Sequence, residues 1–370
     1  MSNDNQGNEA GTPKLKLDGV QHAIQPGESV LALAKRTGTY IPSLCDDPRL
    51  DSVGACRTCL VEVEGGGRLT PSCKLEATDG LVVRTDTERV GRHRKTLMAM
   101  YLADLPDDVP GEELQLAAQF AGAPTDWEKL EPDRASRPGD TNPYIDFAAE
   151  LCIACGRCTR YCDEVEGVSA ITLADRGAKV TVSTDHAISL LDSTCELCGG
   201  CVDVCPTGAM REKPPLSSAP MLARGAAPKL DRVRTTCNYC GVGCQMDLRV
   251  DPAGNDGRGK VVRVDSPPPG TKPNDGNLCV KGRFATEFID HEDRLKQPMI
   301  RGIDGRFRGA SWDEAIKYAV AGLKGVQDRH GHDGLGFISS SRCTGEENYL
   351  VQKLARAAFY TNNVHQCAAT

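Results

Sequence analysis

The 370-residue sequence is poor in aromatic side chains, at 5%. It contains no run of about 18 apolar residues of the kind a membrane span needs. Its opening, MSNDNQGNEAGTPK, has neither a basic stretch followed by an apolar core nor a twin-arginine pair, which argues against export and for the cytoplasm. There is no lysine and arginine tract, and 44 basic against 51 acidic residues leave a net charge of −7, which disfavours nucleic acid as a partner. No GxGxxG follows a strand pattern and no P-loop occurs, so a nucleotide cofactor would have to be held elsewhere. The scarcity of aromatics fits small modules cross-linked by metal better than one large core. What the chain has in excess is cysteine: 18 residues, grouped at metal-ligand spacing and not scattered as in a short disulfide-bonded chain.

The densest stretch holds two near-identical quartets, Cys152-x2-Cys155-x2-Cys158-x3-Cys162 and Cys195-x2-Cys198-x2-Cys201-x3-Cys205, the second followed by Pro206. In such a run the first three cysteines grip one cube and the fourth reaches the other. The expected ligand sets are therefore Cys152, Cys155, Cys158 with Cys205, and Cys195, Cys198, Cys201 with Cys162, each holding a 4Fe–4S cluster. Zinc usually takes its cysteines as two pairs and has no use for a third close neighbour. Between the quartets, 171–173 and 179–182 read as a small hairpin around Arg176-Gly177.

Two further groups flank this core. Cys45-x10-Cys56-x2-Cys59-x13-Cys73 lies in a β-rich segment. There Lys14–Leu17, the Asp18-Gly19 turn and 22–24 alternate as a hairpin, a short helix over 29–36 stops at Gly38, and strands fall at 60–64 and 81–84. This pattern predicts one 2Fe–2S cluster in a β-grasp ferredoxin domain, although the leading gap exceeds that of the plant-type run and a zinc site stays open. Cys237-x2-Cys240-x3-Cys244, completed by Cys279, predicts a third 4Fe–4S cluster, with a zinc ribbon as the alternative.

The fold class is α+β and multidomain. A disordered tail over 1–12 precedes the 2Fe–2S domain over 13–86, and a helical segment and linker follow over 87–143. The double 4Fe–4S ferredoxin-like domain occupies 144–213, a Pro- and Ser-rich linker 214–229, a further 4Fe–4S domain 230–290, and the first part of an α/β domain 291–370. Residues 87–122 read as helical, with Val90, Leu97, Met98, Tyr101, Leu102 and Leu105 apolar and with His93 on an exposed charged face beside Arg92, Arg94 and Lys95. In the last segment Ser311 with Glu314 and Thr344 with Glu347 spell capping boxes, separated by a strand over 334–341. Such alternation implies a parallel sheet, and one strand with two helices leaves apolar surface uncovered.

The Cys45 to Cys73 spacing resembles the N-terminal domain shared by the large iron–sulfur subunit of complex I, NAD-linked iron hydrogenases and NAD-linked formate dehydrogenases. There the following region carries a His and three Cys for another 4Fe–4S cluster. With no cysteine between Cys73 and Cys152, the resemblance implies that this cluster is missing here. Cys237-Asn-Tyr-Cys-Gly-Val-Gly-Cys244 with Leu278-Cys279-Val280-Lys281-Gly282-Arg283 resembles the start of the catalytic domain of molybdenum or tungsten bis-pterin oxidoreductases. That likeness implies that Lys281 sits between the cube and one pterin. Ser340-Ser-Arg-Cys-Thr-Gly-Glu-Glu-Asn-Tyr349 and Thr361-Asn-Asn-Val-His-Gln-Cys-Ala368 are similar to the formate dehydrogenase branch.

In that branch the second motif continues to a metal-ligating Cys or selenocysteine. Here Ala369 stands where the pattern has Arg, and the ligand would follow Thr370. Cys343 is read as a structural or free thiol, Cys367 as packing, and His365 has no assigned role. The implied activity is oxidation of formate to CO2 at a Mo- or W-bis-pterin guanine dinucleotide. Electrons would pass through the 4Fe–4S and 2Fe–2S clusters to a flavin- and NAD(P)-binding partner subunit, and no catalytic residue falls within the chain itself. The alternative is a non-catalytic electron-transfer subunit of a complex I-like or hydrogenase-type assembly. The gene is expected to continue through a selenocysteine codon after Thr370. Its nucleotide sequence should show UGA in an open frame encoding the rest of a pterin-binding domain, and any other codon overturns this.

Overall fold

Alternation in β1 (Lys14–Leu17) turns Leu15 and Leu17 inward, and both are buried. Asp18 and Gly19, with φ of 48° and 89°, make the two-residue reversal into β2 (Val20–Ala23) whose twist suits an antiparallel pair. Ser29 caps α1 (Val30–Arg36), accepting from Ala32 N at 3.2 Å. The helix lays Val30, Leu31, Leu33 and Ala34 on a sheet completed by β3 (Leu60–Val63), β4 (Thr70–Pro71) and β5 (Val82–Arg84). Strand order is β2-β1-β5-β3-β4, with β1 and β5 parallel and the other neighbours antiparallel. This is the expected helix-on-sheet ferredoxin module, and Cys59 and Cys73 belong to its apolar core.

The computed structural model describes residues 12–124, 126, 128–130, 140–213 and 230–367. The expected tail before 12, much of the linker before 140, the 214–229 linker and the motif end from Ala368 lie outside the described residues. The chain forms two units, Met1–Ala219 and Pro220–Thr370.

A continuous helix over 87–122 would run through Pro106 and Pro110, which lack the N–H donor. The structure instead has α2 (Glu88–Ala103), capped by Thr87, and α3 (Glu112–Ala121), closed by Gly122 in the left-handed region. Gly111 precedes α3 because a Cβ there would come within 2.2 Å of Pro206 O, just past Cys205. Next come β6 (Ile145–Phe147), α4 (Arg157–Arg160), β7 (Thr172–Ala174), β8 (Thr181–Ser183), α5 (Gly200–Asp203) and β9 (Met210–Glu212). β6 pairs with β9 and β7 with β8, so the hairpin around Arg176-Gly177 is present. α4 runs on into a π-turn, Tyr161–Val165, that carries Cys162.

A buried ion-pair network joins the two cysteine-bearing parts of this first unit. Asp47, 4% exposed, accepts from Arg49 Nε at 2.9 Å and from Arg157 Nη2 at 3.2 Å. Arg49 reaches Asp203 at 2.9 Å, and Arg157 reaches Glu113 on α3 at 2.7 Å. Burial works against the charged Asp47, but the bonds from Arg49 and the charges of Arg49 and Arg157 outweigh it and hold its pKa down at about 2. Arg160 donates to the carbonyls of Asp51 (2.6 Å) and Cys45, while Glu164 accepts from Asp51 N at 2.7 Å.

The second unit opens with an antiparallel sheet of β10 (Asp231–Thr236), β11 (Gln245–Asp251), a single turn α6 (Gly254–Gly257) and β12 (Lys260–Asp265). Buried Asp247 pairs with Arg232 and Arg234 across β10 and β11. α7 (Val280–Phe284) follows, then the hairpin β13 (Met299–Arg301) and β14 (Phe307–Gly309). Last come α8 (Trp312–His330), β15 (Phe337–Ser340), α9 (Gly345–Phe359) and β16 (Val364–Cys367). β15 and β16 pair in parallel, so a second strand joins the one read from the sequence.

Thr344 and Glu347 form the full capping box. Ser311 receives Glu314 N at 3.2 Å, but the Glu314 carboxylate turns to Arg308 at 2.5 Å instead of back to the cap. α8 buries none of its residues, and Trp312, Ile316 and Tyr318 stand exposed.

Removing one member of a buried ion pair strands its partners' charge. Asp47→Ala should therefore weaken the junction by about 3–5 kcal/mol, whereas Asp47→Leu with Arg157→Met should recover most of the loss. Hydrogen exchange over 45–52 and 157–165 checks this. Unchanged protection in Asp47→Ala would show that the network contributes nothing.

Candidate functional site

Cys45, Cys56, Cys59 and Cys73 are all buried in the first unit. Cys56 N donates to Cys45 Sγ at 3.4 Å, and Thr58 Oγ1 lies 3.1 Å from Cys56 Sγ. The thiols meet as two hydrogen-bonded pairs. The bond from Cys45 outweighs burial and lowers the Cys56 thiol, and the bond from Cys73 likewise lowers Cys59. Their partners Cys45 and Cys73 are pushed up, first by those same bonds and then by burial. Cys56 also bears on Cys59, and Cys45 on Cys73, so the four sulfurs share one field.

The two quartets fold as twin loops. In the first, Ala154 and Gly156 take φ of 51° and 73°; in the second, Leu197 and Gly199 take 53° and 76°. Left-handed backbone at a non-glycine residue is strained and concentrates at functional sites. Its effect here is to curl N–H groups toward sulfur. Ala154 N donates to Cys152 Sγ and Leu197 N to Cys195 Sγ, both at 3.3 Å, and Gly200 N donates to Cys198 Sγ at 3.4 Å.

Cys205 of the second loop lies with three cysteines of the first. One cavity is lined by Cys152, Cys155, Cys158 and Cys205, with Phe147, Leu173, Val182 and Met210 around them. Burial pushes Cys155 up to about 12, with the Arg157 N–H opposing and the charge of Cys205 adding to it. Cys195 is raised by burial and then by Cys162, against the bond from Leu197 N. Among the described residues no group of three or more His, Cys, Asp or Glu side chains closes on a point as ligands of a single ion would. At this first cavity the cysteines surround space. The Nε–H groups of Arg157 and Arg160, in the helix that carries Cys158, are buried without an acceptor among the described residues. The residues present fit a cube here.

In the second unit Cys237 N bonds Cys244 O at 2.8 Å, and Cys237, Cys240, Cys244 and Cys279 lie within one another's fields. Gly282 packs beside this group, since a Cβ there would make ordinary contact with Cys237 Sγ at 3.6 Å. Lys281 sits two residues past Cys279 on the first turn of α7 with an exposed side chain. Cys343 is half-buried near the start of α9, and the side chain of Cys367 lies outside the description.

The expected exposed face of α2 needs correction. Arg94 is 3% exposed and points into the first module, because the carbonyls of Thr58, Leu60 and Thr85 give its guanidinium acceptors there. His93 is half-buried and lies 3.2 Å from Arg57 O. Sequence reasoning also passed over Asp47, Arg157 and Arg160. Only Arg94 left a signal, falling four residues after Val90 and four before Met98 on the apolar stripe.

Among the described residues no helix is long and apolar enough to cross a membrane. Residues 13–88 match the family described as 2Fe-2S iron-sulfur cluster binding domain, and 142–211 match the NADH-quinone oxidoreductase subunit 3 ferredoxin-like domain. Residues 230–291 match the molybdopterin oxidoreductase Fe4S4 domain and 294–370 match molybdopterin oxidoreductase. Over 95% of its length the chain is 37% identical to an NADH-quinone oxidoreductase subunit of Rhizobium meliloti, covering 40% of that protein. It is 33% identical, over 95% of its length and 40% of the relative's, to the NADPH-Fe(3+) oxidoreductase subunit alpha of Geobacter sulfurreducens. A "Putative formate dehydrogenase" of Staphylococcus haemolyticus is 29% identical over 96% of the chain and 39% of that protein. The chain thus spans about two-fifths of the length of these relatives. Stretches matching 2Fe–2S, ferredoxin-like and Fe4S4 domains thus stand in this order ahead of a stretch matching molybdopterin oxidoreductase.

Proposed function

We propose that the chain is the iron–sulfur relay of a formate dehydrogenase alpha subunit, delivering electrons from formate oxidation to a flavin- and NAD(P)-binding partner subunit. Iron–sulfur clusters take up and release single electrons, which lets two-electron chemistry at one end meet a distant acceptor at the other. Cys45, Cys56, Cys59 and Cys73 would hold the 2Fe–2S cluster. Cys152, Cys155, Cys158 and Cys205 would hold one cube, and Cys195, Cys198, Cys201 and Cys162 the second. Cys237, Cys240, Cys244 and Cys279 would hold the third, with Lys281 bridging toward a pterin. What supports the relay is the pair of twin loops, with Cys205 of the second among the cysteines of the first, seated in the same unit as the first cysteine group.

The chain's own residues do the holding. Curled backbone presents N–H groups to thiolates, apolar side chains keep water from the first cavity, and the Asp47 network fixes one module against the next. The formate reading is supported by the motifs at 340–349 and 361–368 and by the name of the staphylococcal relative. A second reading, a wiring subunit without its own substrate centre, is favoured by the 37% identity to the Rhizobium relative.

Two measurements follow. In the reconstituted chain, Cys205→Ser should remove one cube and Cys162→Ser the other, seen as separate losses of EPR signals. Loss of the same signal in both variants would sink the crossed assignment. In the complete gene product with its partner subunit, formate should reduce the clusters, and molybdenum or tungsten should accompany iron. Iron alone, with no reduction by formate, would leave the wiring reading standing.

A further inference from the structure

The loop from Cys56 to Leu60 is held from behind. Tyr101 Oη donates to Cys56 O at 3.2 Å, and His93 Nε2 lies 3.2 Å from Arg57 O. Arg94 Nε donates to Thr58 O at 3.2 Å and its Nη2 to Leu60 O at 3.1 Å. Ser72 supplies both its N–H, at 3.1 Å, and its hydroxyl, at 2.8 Å, to Cys59 O. Every carbonyl of the loop is therefore turned away from the cysteines onto a partner from another element, most of them through α2. The N–H side is left to sulfur, as the Cys56 N bond to Cys45 Sγ shows.

Arg94 is the unusual member. It is 3% exposed, forms no ion pair among the described residues, and lies with its guanidinium 5.9 Å from the centre of the Phe120 ring. Burial pushes its pKa down, while the Cys59 thiolate and Asp18 push it back up. A guanidinium stays charged in proteins, so this is a buried positive charge beside a cysteine group, with no carboxylate in contact to cancel it.

We infer that Arg94, aided by Tyr101, is a positioning residue that holds up the reduction potential of the 2Fe–2S site. The inference rests on the reading that Cys45, Cys56, Cys59 and Cys73 carry that cluster. Reduction adds one electron to an already anionic centre, and a buried cation in a low-dielectric surround favours the reduced form. Bonds to the loop carbonyls also polarise the peptides, strengthening their N–H groups as donors to sulfur. In this protein α2 thus supports the neighbouring site through arginine and tyrosine.

The test is an EPR-monitored redox titration of the full chain with its clusters loaded. Arg94→Gln keeps two donors but loses the charge. It should shift the reduction equilibrium about tenfold toward the oxidised form, equal to about 59 mV for a one-electron couple. Arg94→Lys, which keeps the charge, should stay closer to wild type than the Gln variant does. Tyr101→Phe, a mild change, should shift the equilibrium about threefold in the same direction. A loaded Arg94→Gln protein at the wild-type potential overturns the inference. Should that variant fail to load, Tyr101→Phe at the wild-type potential overturns it equally. A wild-type chain with no 2Fe–2S signal would instead overturn the cluster assignment beneath it.

Discussion

Crowding thiolates is the constraint on which the rest of this structure depends. Cysteines close enough to share a metal centre repel one another once ionised, and burial raises the penalty. The pushed-up thiols of Cys155, Cys158 and Cys237 express that cost where no counter-charge fully meets it. The fold answers in two ways. Left-handed residues such as Ala154 and Leu197 aim N–H groups at sulfur, and arginines stand close behind the ligand loops. Arg94 backs Cys59, Arg157 lies beside Cys155, and Arg160 holds the carbonyl of Cys45. Each arginine bonds carbonyls or carboxylates drawn from a neighbouring element, so stabilising one cysteine group fixes the position of the next.

The parts of this design written in local spacing were legible. Three cysteines at short intervals can only share a tight loop, the Asp18-Gly19 pair can only reverse a hairpin, and Thr344 with Glu347 makes its box from adjacent turns. Features that depend on distant partners were hidden. Arg94 stands between Arg92 and Lys95, so its neighbours make it look like one more solvated charge, yet its acceptors come from 58–60 and 85. Glu314 had the right spacing for a box, but Arg308 on the preceding strand competed for its carboxylate. Asp47 and Arg157 are more than a hundred positions apart, and no window of sequence connects them. The break in the 87–122 helix was visible in Pro106 and Pro110, and β16 was too short to stand out beside α9.

Among the positions at which the twin quartets differ, the one before the third cysteine separates their roles. After Gly156 the first loop has Arg157; after Gly199 the second has Gly200. Arg157 reaches out to Asp47 and Glu113 and so docks the first loop on the N-terminal module. Gly200 does the reverse, clearing space: a Cβ there would lie 1.9 Å from the ring of Tyr161, which is itself buried and covered by the Arg49 guanidinium at 5.2 Å. An arginine at position 200 would expel that ring, and a glycine at 157 would leave Asp47 with half its partners. The two loops cannot exchange places, although their cysteines are interchangeable in spacing. The loop that carries Cys152, Cys155 and Cys158 is therefore the one whose arginine bonds the N-terminal module. Tyr101 of α2 donates to Cys56 O, and its hydroxyl is pushed up by burial and then by the charges of Cys56 and Cys155. With no cysteine between Cys73 and Cys152 to build a centre in between, the bonds of Arg157 to Asp47 and Glu113 are what tie the first loop to the chain before it.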